Sequence, residues 1–503
     1  MKSQTSIVDA FLFATLVPRD WIVRLISWRY STFVWGFSMM QPALMAKSGA
    51  LRARRAMHRA ARVVPAYAAH VRQSGVGGLE LPETDKESYI KAHSTEERCR
   101  HGAIPQIRTM IDESSGSTGV PYNWVRSRRE RLESQGFISY FARYCYGARP
   151  RITINAFSMG AWATGINMGQ AMESNGIVKN TGPDLAKILS TLRFFGPDYE
   201  YLVLGYPPFL KHFIDVAEQE GFPFERYHLD ALVGGEGMSE GLRDYLLRRF
   251  GRVYSGYGAT DLEIGIAGET PIAVAVRRLA WKDPRVKEAL FGTDSRLPMF
   301  FQYNPLMHHI EVNKDRELLF TITRDSVLSP RIRYNVHDEG GIVRFDELEA
   351  KLLALGHNLR DLAPKSARLL RLPFVWVYGR RDSTISVMGA NIYPEDLEHC
   401  LYAEPELARI TRSFCLSLSE KGAQVRPCFH FEVEGEPTEE LVSRFSYAMV
   451  ARLADLNADF REALHEYADA LQPEIRLYPC GQGPFAANSG RIKQVRLLKP
   501  AST

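Results

Sequence analysis

None of the six cysteines (Cys99, Cys145, Cys400, Cys415, Cys428, Cys480) forms a Cys-x-x-Cys pair. Neither a zinc frame nor a disulfide scaffold is therefore expected, and a reducing cytoplasm is the simplest setting. Long apolar runs are missing too. Val8 to Val17 is apolar, but Pro18, Arg19, Asp20, Arg24 and Arg29 follow it, so no span of roughly 20 residues that could cross a bilayer is expected. Nor is the secretory pattern of charged start, apolar centre and small-residue cleavage site. Charge of one sign is also scarce. There are 63 basic against 58 acidic residues, a net charge of +5, which is too balanced to argue for nucleic acid.

What is present is the composition of a folded globular protein, 45% hydrophobic and 24% charged over 503 residues. That length exceeds one ordinary core, so two or more domains are expected. Residues 1–45 are rich in aromatics, with Phe11, Phe13, Trp21, Trp28, Phe33, Trp35 and Phe37. The favoured reading is a helical extension, residues 1–46, packed on the main body. The other is an interfacial surface, since Trp and Arg together suit a membrane boundary.

The stretch Asp112-Glu113-Ser114-Ser115-Gly116-Ser117-Thr118-Gly119-Val120-Pro121-Tyr122 follows an alternating run, Ile104 to Ile111, that reads as a strand. Its glycines let backbone N–H groups turn inward, and successive N–H groups form a nest for phosphate oxygens. The hydroxyls of Ser114, Ser115, Ser117 and Thr118 add donors. The same composition also suits a solvated turn. It is not a P-loop, because no Gly-Lys-Ser/Thr follows.

Residues 47–72 read as an amphipathic helix ending near Pro65, with Arg52, Arg54, Arg55 and Arg59 on its solvated face. Residues 127–146 suit another helix. Arg151 to Phe157 reads as a strand entering a turn with Phe157, Met159 and Trp162. Strands at Tyr201–Leu204, Ala231–Val233 and Arg252–Tyr254 alternate with helices at Pro207–Glu220 and 239–250. That alternation indicates βαβ units and a mainly parallel sheet. Ligands of open α/β sheets bind beyond the carboxyl ends of strands. The Ser/Gly loop, Gly234-Gly235-Glu236 and Tyr257-Gly258-Ala259-Thr260-Asp261 all follow expected strands. From 383 onward the pattern is strand, helix, strands 411–418 and 427–434, a long helix 438–468, and strand 474–479, a compact α+β domain.

Five stretches, in order, resemble the adenylate-forming superfamily, most of all its phenylacetate-CoA ligase-like branch. They are the Ser/Gly loop, Tyr257-Gly258-Ala259-Thr260-Asp261, Pro330-Arg331-Ile332-Arg333-Tyr334-Asn335-Val336-His337-Asp338, Gly379-Arg380-Arg381-Asp382 with Gly389 to Glu398, and Asn488-Ser489-Gly490-Arg491-Ile492-Lys493. Val64-Pro65-Ala66-Tyr67 and Leu81 to Lys86 are similar to the opening of that branch.

The resemblance implies a large α/β domain, residues 47–381, with mainly parallel sheets flanked by helices, and a small α+β lid, residues 382–503. It implies ATP-dependent activation of a small-molecule carboxylic acid and acyl transfer to a thiol, CoA by default. The alternatives are a carrier protein, a protein cysteine, an amine acceptor, or a degenerate nucleotide-binding homologue. By this resemblance Ser114, Ser115, Gly116, Ser117, Thr118 and Gly119 cradle the phosphates of ATP. Gly234, Gly235, Glu236, Tyr257, Gly258, Ala259 and Thr260 border the nucleotide. Asp338 accepts from the ribose hydroxyls and Arg380 contacts ribose or phosphate. Asp261 is the expected ligand of Mg²⁺, with Glu263 and Glu269 close by. Phe157, Met159, Trp162 and His309 border the acyl group. Arg491 stands where the family has its catalytic lysine, with Lys493 as a possible substitute, and His337 and Val120 replace a usual glycine and lysine.

Overall fold

The computed structural model describes residues 29–75, 81–113, 122–294, 296–364, 368–380, 385–387, 390–421, 424–457, 460–461, 464–465, 471–488 and 495–498. The chain divides into two compact units. One comprises Met1–Gly182, Tyr254–Gly292 and Pro298–Tyr378, the other Pro183–Val253, Thr293–Leu297 and Gly379–Thr503.

The first unit opens with helices Tyr30–Met39, Pro42–Val63 and Pro65–Gln73. Phe33 and Phe37 are buried, and Phe33 packs on Phe137 and Tyr140, so this part of the aromatic extension is core. The amphipathic helix stops where expected, because Pro65 has no N–H to continue it. Pro65 then occupies the first turn of the next helix, where that lack costs nothing. Two of the arginines on the outer face are not merely solvated, since Arg55 and Arg59 both pair with Asp325, at 2.8 and 2.7 Å.

The expected strand 104–111 is displaced. Arg108 takes a positive φ of 59°, which breaks the extended run, and the strand is Thr109–Glu113, paired antiparallel with Asn123–Ser127. Helix Arg128–Tyr146 follows, opened by a capping box in which Ser127 accepts from Glu130 N. Strands Arg151–Asn155 and Gly176–Asn180 are parallel, with helix Ala163–Met172 between them in the chain. Five further pairings of this unit's sheet are antiparallel: Tyr257 faces Ala267, Ala267 faces Tyr303, Phe374–Val377 run against Met299–Gln302, and Glu317–Ile322 pairs with His308–Val312 and Tyr334–Val343. The large multi-strand sheet is thus mixed, with helices flanking it.

The second unit holds the parallel strands Glu200–Gly205 and His228–Gly234 and helices Leu185–Phe195, Pro207–Gln219 and Glu240–Leu246. Its C-terminal part has strands Thr411–Lys421 and Gln424–Val433 antiparallel, and Glu474–Pro479 parallel to the latter. Leu397, Phe414, Leu416, Phe429, Phe431, Phe445 and Leu453 form its core. The long helix expected over 438–468 is interrupted: it runs to Leu456, and residues 460–461 and 464–465 are helical again. Asn457 leaves the helix in an extended conformation, donating to Asp396 at 2.9 Å and accepting from Phe460 N at 2.9 Å. Asn457 thus breaks the helix and caps the helical residues that follow. Buried Lys211 joins Asp215 at 2.9 Å and the carbonyl of Thr411 at 2.6 Å, while Ser239 N donates to Glu398 at 2.9 Å. No helix among the described residues is long and apolar enough to cross a membrane.

Candidate active site

In the first unit, strand Val253–Ala259 ends in the turn that carries Thr260 and Asp261. The Tyr257 hydroxyl donates to Asp338 Oδ2 at 2.6 Å, so the expected aromatic platform and the expected ribose acceptor are neighbours. Phe301 and Phe320 pack on the Tyr257 ring, with centroids at 5.8 and 6.0 Å, and fix its plane. His337 holds φ at 62°. That is the left-handed region glycine enters freely, steadied here by a bond from the His337 N–H to Asn335 Oδ1 at 2.7 Å.

Asp261 is oriented from the same motif. Tyr334 donates to its Oδ2 at 3.0 Å and Arg331 Nε to its carbonyl at 2.6 Å. Burial, then the Asp261 charge, raises the Tyr334 pKa well above its ordinary value, so it stays a neutral donor. Arg331 lies over the Trp124 ring at 4.5 Å, and burial lowers its pKa to about 10. Thr84, from the stretch Leu81 to Lys86, brackets this motif: its N–H donates to Arg333 O, its hydroxyl to Ile332 O at 2.8 Å, and its carbonyl accepts from Asn335 N at 2.7 Å.

The three neighbouring carboxylates differ in what they have left to offer. Glu263 pairs with Arg324 and His308. Burial works to raise its pKa, but the Arg324 charge and the hydrogen-bonded His308 outweigh it and hold the carboxyl at about 2. Glu269 is buried and accepts from Ser255 N at 2.8 Å. Asp261 is half-buried, and its Oδ1 accepts no hydrogen bond among the described residues. Mg²⁺ prefers one or two carboxylates with substrate phosphates and water, a demand that Asp261 fits and its two neighbours do not.

The aromatic turn is tied to the start of the Ser/Gly loop. Glu113 N donates to Ala161 O at 2.9 Å, and Glu113 and Trp162 form a parallel bridge. Phe157 is buried, while Met159 and Trp162 are half-buried. His309 is half-buried too, and burial, with Arg54 and Arg333 against Glu311, lowers its pKa. In the second unit, Gly235 has φ of 85°, and a Cβ there would lie 2.7 Å from the Tyr206 ring. Only glycine fits between Gly234 and Glu236. Ser114, Ser115, Gly116, Ser117, Thr118, Gly119, Arg491 and Lys493, and the side chain of Arg380, lie outside the described residues.

A small cavity opens between helices Arg128–Tyr146 and Ala163–Met172 and the stretch from Thr260 to Ile264. Phe157, Met159, Trp162 and His309 do not line it. Arg126 stands in its wall, donating to Thr260 O at 2.7 Å and pairing with Glu130 at 3.3 Å and Asp112 at 3.5 Å. Arg126, Arg131, Gln135 and Asn167 are site residues that sequence reasoning missed. The Ser127-to-Glu130 capping pattern marks the start of the helix that carries Arg131 and Gln135, but nothing local pointed Arg126, on the strand before it, at Thr260.

The fold is the one shared by adenylate-forming enzymes. Among solved structures, 2-hydroxyisobutyryl-CoA ligase in the postadenylation state, in complex with R3-HIB-AMP, superposes with a TM-score of 0.65 at 12% identity, covering 92% of this chain and 91% of that one. An open conformation of the same ligase, in complex with 2-HIB-AMP and CoA, gives 0.54 at 13% identity, covering 92% and 93%. No family model matches the chain, and no curated protein matches it in sequence.

Proposed function

We propose that the chain activates a small carboxylic acid with ATP and passes the acyl group to a thiol, CoA in the first instance. The observation that carries the reading is the Tyr257–Asp338 pair. It offers an aromatic face for adenine beside an ionised acceptor for ribose hydroxyls. The fold supports it, and so does the neighbour crystallised with an acyl-adenylate and CoA.

In the first half-reaction a substrate carboxylate oxygen attacks the α-phosphorus, the bond to the β-phosphate bridging oxygen breaks, and pyrophosphate leaves. Both reactants are anionic, so the chain's task is to hold them together and neutralise developing charge. Thr260 donates to the α-phosphate, the loop Ser114–Gly119 wraps the outer phosphates, and Arg491 or Lys493 supplies the cation. Asp261 would hold Mg²⁺, which draws charge from the phosphate oxygens when bound. In the second half-reaction the thiol sulfur attacks the acyl carbonyl, the thiol proton passes to solvent, and AMP departs. Phenylacetate-CoA ligases are the branch whose motifs fit best, and residues 382–503 are the lid proposed to bring Arg491 in.

The test is pyrophosphate release with ATP, Mg²⁺ and a panel of carboxylic acids, followed by acyl-CoA formation. Release that depends on the acid supports the reading. ATP binding with no release for any acid would mark a nucleotide-binding protein without chemistry, and release without acyl-CoA would point to a carrier protein, a protein cysteine or an amine.

A further inference from the structure

Basic charge is not spread evenly along the chain. Residues 21–79 hold nine Lys and Arg and no Asp or Glu, which leaves 54 basic against 58 acidic residues in the remainder. The excess behind the net charge of +5 therefore lies in this stretch. Within it are the helices Tyr30–Met39 and Pro42–Val63 of the first unit.

These helices have two sides of opposite character. The inner side is core, with Phe33, Phe37, Met45, Ala53 and Met57 buried. Three of the arginines are turned onto the body, Arg52 to Leu306 O at 3.4 Å and Arg55 and Arg59 to Asp325. On the outer side of the first helix Ser31, Trp35 and Met39 recur every four residues, and all are exposed. On the second helix Leu44, Lys47, Arg54 and Arg62 are exposed at spacings of three, seven and eight, which puts them on one face. Trp35 is 54% exposed, Met39 64% and Leu44 47%. Met39 and Leu44 flank the corner at Met40 and Gln41, and five residues of chain keep them within about 18 Å of each other.

Large apolar side chains exposed together and bordered by charge mark an interaction surface. We propose that the outer side of these two helices seats the first unit on a membrane surface rich in acidic lipid. The charge pattern selects this partner. An indole beside ammonium and guanidinium groups, in a stretch with no carboxylate, suits the boundary of an anionic bilayer. Trp35, Met39 and Leu44 enter between the headgroups, and Lys47 and Arg54 meet the lipid phosphates. The chain lies on the bilayer and does not cross it. Nucleic acid is the poorer match, because its phosphates would reward the cations but leave Met39 and Leu44 in water. A second exposed cluster, Phe194, Phe195 and Tyr199 in the second unit, lacks the charge. Its Arg193 is paired with Glu220 at 2.8 Å, and Asp198 and Glu200 flank Tyr199. That cluster is an internal control. The proposal stands independently of the adenylating reading.

Flotation of the full chain tests this, with vesicles of phosphatidylcholine alone and of phosphatidylcholine with phosphatidylserine at about 7:3. Binding is expected to be about tenfold or more tighter to the mixed vesicles and to weaken as salt rises, because exposed charges are screened. Trp35→Ser with Met39→Ser is expected to lose about tenfold or more, from the apolar area no longer buried. Lys47→Gln with Arg54→Gln is expected to lose about fivefold per residue on the mixed vesicles. Phe194→Ser with Tyr199→Ser is expected to bind as the wild type does. All six side chains are exposed, so each variant should keep the wild-type thermal unfolding, which is measured alongside. Equal affinity for the two vesicles, no binding to either, or an equal loss in the Phe194 and Tyr199 control overturns the proposal. So does a dimer in sedimentation that disappears with Trp35→Ser and Met39→Ser, which would assign the apolar side to a second copy. Tighter binding to a single-stranded oligonucleotide that ignores the Trp35 and Met39 changes overturns it as well.

Discussion

Replacing Glu263 by Gln removes the carboxylate that buried Arg324 and His308 share. The carboxyl titrates at about 2 rather than 4.5 in the fold, a difference that corresponds to about 3 kcal/mol of folding stability near neutral pH. Glu263 and His308 are buried and the Arg324 side chain is 7% exposed, so solvent screening does little to reduce the figure. Leaving buried Arg324 without its close anion is the costly event, and about 3–5 kcal/mol is the scale for breaking such a pair. Because the folded pKa is depressed, the stabilisation is present above the unfolded value and is lost as pH falls toward the folded one. By pH 4 the unfolded carboxyl is mostly protonated, and linkage removes about 0.8 kcal/mol of the wild-type advantage. Urea unfolding of wild type and Glu263→Gln at pH 7 and pH 4 reads both numbers. A variant within about 0.5 kcal/mol of wild type at pH 7 refutes the reasoning, since that is the scale of an ordinary surface change. So does a gap that does not narrow at pH 4.

Three further outcomes are expected. Asp338→Asn removes the charge from the acceptor beside Tyr257 and raises the KM for ATP about 10- to 100-fold, the worth of a charged hydrogen bond, while leaving the KM for the acid nearly unchanged in steady-state assays. His337→Gly keeps the positive φ without strain, whereas His337→Val, β-branched, is about 1–2 kcal/mol less stable than the Gly variant by thermal unfolding. Lys211→Met leaves buried Asp215 without its cation and costs on the order of 3 kcal/mol; adding Asp215→Asn recovers part of that loss.

Much of the architecture was legible because local rules and global packing agree. Ser127 and Glu130 announce the start of their helix, Pro65 marks where one helix ends and the next begins, and the alternation of strands and helices gives the parallel part of the sheet. The antiparallel part was not legible, because periodicity reports burial and not strand direction. The helix expected over 438–468 was read as unbroken for a different reason. Its apolar pattern continues past Leu456, and what interrupts it is Asn457, bonded to Asp396 61 residues away.

The candidate site shows the same division. Tyr257 and Asp338 could be paired from their motifs, although 81 residues separate them. The commitment of Glu263 to Arg324 and His308, which leaves Asp261 as the available carboxylate, depends on side chains that only the fold brings together. The position of Arg126 against Thr260, 134 residues on, is of that kind as well.

The most direct measurement is exchange of labelled pyrophosphate into ATP in the presence of a carboxylic acid. The expected result is exchange that requires the acid and drops at least tenfold in Asp338→Asn at subsaturating ATP. Exchange that persists without any acid, or that is indifferent to the loss of the Asp338 charge, would contradict acyl-adenylate formation at this nucleotide site.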